Sequence, residues 1–221
     1  QREAVGTLIY VYEIAKVRAR LELIQRFATA TKDLRLPPYD DFARYCIKMA
    51  TGSGKTKVMS LAIVWHYFNA VRENDADYTK TFLVIAPNII VFERLRKDFA
   101  GGRIFRVDPV FPKHFEMFWD FDCYMRDEGE RAHSEGALFL TNIQQFYERP
   151  SRATADEPDE ITAVMGAKPQ TQKLELTDFD EHIARRGGPL LVLNDEAHHT
   201  HDEDSEWNKV IRKLHIKNPL A

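Results

Sequence analysis

The chain has 221 residues, 44% of them hydrophobic, which is enough for one α/β domain with a sizeable core. Its 31 basic and 34 acidic side chains leave a formal net charge of −3, so a globally basic surface is excluded and any nucleic-acid contact must come from a local patch. No apolar run approaches the length of a membrane span, and the two cysteines, Cys46 and Cys123, have no CxxC spacing; a reduced, cytoplasmic protein without a signal peptide is expected.

The first predicted element is one long helix from Glu3 to about Thr31. Val5, Leu8, Ile9, Tyr12, Ala15, Ala19, Leu23 and Phe27 recur there at helical spacing, and Pro37-Pro38 ends the stretch. Tyr45 to Met49 is a predicted strand, followed by the loop Thr51-Gly52-Ser53-Gly54. Lys55 to about Val71 is a predicted helix, apolar almost all round and so buried on more than one side. Thr81 to Ala86 is a continuous apolar strand of the kind found inside parallel sheets. Pro87-Asn88 turns the chain into a helix through Phe99, which Gly101-Gly102 stops. Arg103 to Val107 is a short strand candidate, and the aromatic stretch Phe111 to Phe121 is expected to pack in the core rather than stack on bases. Ala137 to Thr141 is a strand, with Asn142 opening another helix. Residues 149–173 turn polar and suggest a surface insertion, and Pro189 to Asn194 is the last strand. Strands alternating with helices imply right-handed crossovers and a mostly parallel sheet. The residues that follow the strands should gather at one sheet edge, where ligands of such folds bind.

Two motifs carry chemistry. Gly52-Ser53-Gly54-Lys55-Thr56 follows a predicted strand and opens a helix. Its glycines permit a tight loop whose backbone N–H groups face phosphate oxygens, and the helix amino end adds favourable partial charge. Lys55 would reach the terminal phosphates and the Thr56 hydroxyl would ligate Mg²⁺. The general phosphate-loop pattern has glycine where this chain has Met49. The second motif is the apolar run Leu190 to Leu193, then Asn194, ending in two acids. Asp195 can hold Mg²⁺, and Glu196 can orient or deprotonate an attacking water. Each motif has a plain alternative, a glycine-rich turn before a lysine or a strand ending in a solvated acidic turn. Their occurrence together weighs against both. The cluster His198, His199, His201, Asp202 and Asp204 does not make a transition-metal site at this spacing on a loop.

Asp195-Glu196-Ala197-His198 spells a DEAH box. Together with Met49 to Thr56 it makes the chain resemble the superfamily 2 helicases and translocases, in particular the DEAD/DEAH-box group that includes the restriction subunits of type III restriction enzymes. Ala86-Pro87-Asn88 with Glu93-Arg94-Leu95 resembles motif Ia of that family, and Thr141-Asn142-Ile143-Gln144 resembles motif Ib. Gln1-Arg2-Glu3-Ala4-Val5 resembles the segment whose glutamine reads adenine. The resemblance implies a RecA-like α/β domain over residues 1–221, the first of two in a longer motor protein. It implies ATP and Mg²⁺ as ligands, with Gln1 and residues 51–56 around the nucleotide. Pro87, Asn88, Arg94, Thr141 and Asn142 are implied beside a nucleic-acid strand, and His198 between the two sites. Implied partners are DNA, a second RecA-like domain and a modification subunit. RNA as the track, or a nucleotide-binding interaction module with vestigial hydrolysis, stay open as alternatives; retention of Lys55 and Glu196 argues against the latter.

Overall fold

Four short apolar runs build the centre of the molecule. In the computed structural model, which describes residues 1–28, 42–107, 110–125, 134–143, 179–195 and 206–217, they are β1 (Thr81–Ala86), β2 (Phe121–Met125), β3 (Gly136–Asn142) and β4 (Leu190–Asn194). They form one sheet in the order β2-β3-β1-β4, with every neighbouring pair parallel. β1 and β3 are buried along their whole length, because helices shield both faces of a parallel sheet and its inner strands can be apolar at every position.

Seven α-helices are described: α1 (Arg2–Ile9), α2 (Arg20–Phe27), α3 (Lys55–Arg72), α4 (Ile89–Phe99), α5 (Arg103–Val107), α6 (Phe179–Arg186) and α7 (Glu206–Lys217). Strand side chains alternate between two apolar layers. On one face Phe82, Val84, Leu138 and Leu140 meet Ile63, Val64 and Tyr67 of α3 and Phe92, Leu95 and Phe99 of α4. On the other, Leu83, Ile85 and Phe139 meet Ile183 of α6 and Val210 and Leu214 of α7. The predicted burial of α3 on several sides holds, since Val58, Ala62, Ile63, Val64 and Tyr67 are all inside.

Three predicted elements are corrected. The long first helix is broken: α1 runs into a π-helical turn at Tyr10–Ile14, and the chain leaves helical geometry before α2 starts at Arg20. Lys16 adopts φ 52° there, and the break lets Val17 bury and the Arg18 guanidinium lie over the Tyr12 ring, 3.5 Å from its centroid. Tertiary contacts thus override helical periodicity. Tyr45 to Met49 is not a strand; the Tyr45 hydroxyl donates to the Val17 carbonyl (2.5 Å), and Cys46, Ile47 and Lys48 face solvent. Arg103 to Val107 is helical, because Gly101 and Gly102 at φ 56° and 70° redirect the chain and Phe105 drops into the core.

Phe111, Trp119 and Phe121 of the aromatic stretch pack against the core as expected, whereas Phe118 is 41% exposed. A 3-10 helix at Lys113–Phe118 leads to Trp119 and Phe121, whose rings stack at 4.6 Å and pack against the α3–α4 layer. The predicted helix after Asn142 and the insertion over 149–173 fall outside the described residues.

Candidate nucleotide site

The loop before α3 takes its shape from two glycines. Gly52 has φ 76° and Gly54 φ 90°, a left-handed geometry that residues with a Cβ adopt only with strain. Ser53 closes the turn, its hydroxyl donating to the Ala50 carbonyl at 2.6 Å. Gly54 is the N-cap of α3 and has no side chain with which to cap it, and the amino end of a helix favours an anion. Thr51, Gly52 and Ser53 are exposed, while Lys55 and Thr56 are half-buried at the head of the helix.

Gln1 lies against this loop. Its Nε2 donates to the Ser53 carbonyl at 3.1 Å, and a Cβ on Gly54 would collide with the same amide nitrogen. The first segment is fastened to α3 from behind. Tyr12 makes edge contacts with Trp65 (5.5 Å) and His66 (5.3 Å), and its hydroxyl donates to the Asp77 carbonyl. Burial raises the Tyr12 and Tyr45 phenols above the ordinary value, and burial first, then Arg18, pushes the His66 imidazole down to about 4. These groups hold the N-terminal segment in place and are uncharged near neutrality, Arg18 excepted.

Parallel register brings three strand ends level. Ala86 pairs with Asn142, and Ile85 pairs with both Thr141 and Asn194. Pro87-Asn88, Asn142 and Asp195 therefore emerge along one sheet edge, as expected, whereas the phosphate loop expected beside them does not follow a strand, because Tyr45 to Met49 is not one. Asn88 caps α4, its Oδ1 accepting from the Val91 N–H at 2.9 Å. Thr141 and Asn142 are buried. The Asp195 backbone N–H donates to the Ile85 carbonyl at 3.4 Å, extending the ladder one residue past β4. Its side chain is 3% exposed and meets Arg94 Nη2 at 2.6 Å. Sequence reasoning did not find this pair, because nothing local links positions 101 residues apart. Glu196 and His198 lie outside the described residues.

A family profile described as type III restriction enzyme, res subunit, matches residues 9–220. The chain belongs to that family. No curated protein and no solved structure matches it. The family's domain is a superfamily 2 helicase-type P-loop NTPase, so the parallel sheet is RecA-like and the chain is a helicase-type ATPase motor domain. ATP and Mg²⁺ are the ligands such domains generally use, and two observations fit them here: an uncapped helix head behind two left-handed glycines, and a buried carboxylate that already accommodates a cation. Among the described residues, no helix of this res-family domain is long and apolar enough to cross a membrane.

Proposed function

We propose that this domain is the first of two RecA-like units in an ATP-driven DNA translocase or helicase of the restriction or phage-defence kind. The observation that carries the nucleotide reading is the left-handed Gly52–Gly54 loop at the uncapped head of α3. The preference for DNA over RNA comes from the restriction enzyme description of the family.

In this reading, residues 51–54 receive phosphates on backbone N–H groups, and Lys55 sets a fixed charge opposite the terminal ones. The Thr56 hydroxyl and the Asp195 carboxylate hold Mg²⁺, and Gln1 borders the base. Bound Mg-ATP supplies the phosphoanhydride bond whose cleavage drives the motor. Glu196 orients the attacking water and takes its proton. His198 relays between this site and the nucleic-acid edge. Along that edge Pro87, Asn88 and Arg94 offer phosphate contacts that position a strand without reading its sequence, while Thr141 and Asn142 are buried beneath it and shape the edge. A second RecA-like domain and a modification subunit complete the assembly, which works in the cytoplasm.

The test is ATP turnover by the full-length protein with duplex DNA and with RNA, for the parent and for Glu196→Gln. Stronger stimulation by DNA is expected. The variant should bind ATP normally and lose about a hundredfold or more in turnover. Stimulation by RNA alone removes the DNA assignment, and parental turnover by Glu196→Gln passes the catalytic role to another acid.

A further inference from the structure

The Arg94–Asp195 contact is the one ion pair among the described residues that joins an exposed guanidinium (59%) to a buried carboxylate (3%). Arg94 projects from α4, and Asp195 is fixed at the end of β4 by its backbone bond to Ile85. The two partners therefore differ in freedom. Asp195 cannot follow a departing partner, whereas Arg94 can swing into water and keep its charge solvated at little cost.

A buried carboxylate without a counter-charge is costly, so Asp195 needs one cation at all times. Resting on the metal role proposed above for Asp195, we infer that Arg94 is its place-holding cation when Mg²⁺ is absent, and that Mg²⁺ must displace it. The guanidinium approaches Oδ2 to 2.6 Å, charge-assisted hydrogen-bond distance, so it occupies a lone pair of that oxygen and its charge opposes a second cation beside it. Arg94 thus neutralises the carboxylate without nucleotide and sets a threshold against Mg²⁺. It acts on the affinity of the metal–nucleotide complex, not on that of the nucleotide alone. Among the described residues no contact places Arg94 on the phosphate loop, so its effect should vanish when the metal is removed.

The experiment is calorimetric titration of the full-length protein with ADP, once with Mg²⁺ and once with EDTA, for the parent, Arg94→Ala and Arg94→Lys. A binding state that is only partly populated lowers apparent affinity by its fraction, and a half-exposed ion pair sets that fraction modestly. Arg94→Ala is therefore expected to tighten Mg-ADP binding about threefold to tenfold and to leave metal-free ADP unchanged. Arg94→Lys, a point charge without the planar fork, should fall between. The gain in melting temperature that Mg²⁺ adds to ADP should rise in the same order. Mg-ADP affinity in Arg94→Ala equal to or weaker than the parent's overturns the inference, and so does equal tightening with EDTA. If the parent binds no ADP in either condition, the nucleotide reading itself fails and takes this inference with it.

Discussion

Lys55 stands directly after a glycine held at φ 90°, at the head of an 18-residue helix whose far end is anchored in the core. A cation so placed loses little freedom when it meets an anion. Lys55→Ala is expected to lower Mg-ATP affinity by at least about tenfold, the scale of one charge-assisted contact to a phosphate. Equal affinity of variant and parent by calorimetry would remove the phosphate-loop assignment. His66 carries a different prediction. It is buried between Tyr12, Trp65 and Tyr78, and desolvation, helped by Arg18, pushes its imidazole down to about 4. The folded chain therefore binds fewer protons than the unfolded one. The stability linked to His66 is complete above about pH 6.5 and is lost as pH falls towards 4, by up to about 3 kcal/mol. Urea unfolding across that window should show a shallower loss for His66→Phe than for the parent; parallel curves would mean that His66 is accessible to protons in the fold.

At the scale of elements, β3 begins where two rings leave no space. A Cβ on Gly136 would meet the Phe121 ring, and Tyr67 Cε2 at 2.6 Å. Neither neighbour is free to give way: Tyr67 is fully buried with its hydroxyl on the Phe118 carbonyl at 2.9 Å, and burial raises its phenol to about 12. Gly136→Ala is expected to cost about 2 kcal/mol by overpacking, read as a lower urea midpoint at unchanged slope; a parental midpoint would show that the rings can part. Which elements were legible follows from where their causes lie. β1, β3 and β4 are apolar runs, and α3 and α4 carry apolar residues at helical spacing, all next to glycine, proline or asparagine, so their causes are local. The break between α1 and α2 is caused by Arg18 on Tyr12 and by Tyr45 reaching Val17 across 28 positions, which periodicity cannot carry. β2 alternates Phe121, Cys123 and Met125 against Tyr124, a readable period of two hidden behind the aromatic residues before it. The candidate site divides the same way. The loop announces itself in five consecutive residues, whereas the pairing of Arg94 with Asp195 exists only once α4 and β4 are folded against the same strand.

For the molecule as a whole, the proposed site is shared between two domains, and this predicts how residues 1–221 behave alone. A second RecA-like unit would bring arginines to the charge developing on the transferred phosphate, worth about a thousandfold or more in rate. It would also carry part of the nucleic-acid track, and this chain's charge of −3 does not compensate for its loss. Residues 1–221 alone should therefore turn over ATP far more slowly than the full-length protein and show little response to duplex DNA at matched salt. Full DNA-stimulated turnover by these residues would mean that one domain holds the complete site. The level strand ends have a consequence for how such a sequence can change. Because Ala86, Asn142 and Asn194 finish within one register step of each other, apolar residues inside β1, β3 and β4 can exchange for one another at modest cost. Their lengths cannot change so freely: one residue inserted or deleted shifts the following segment by about 3.3 Å and turns every later side chain to the opposite face. Substitutions should therefore accumulate inside the strands of descendants of this chain, while insertions and deletions are confined to the connections between them.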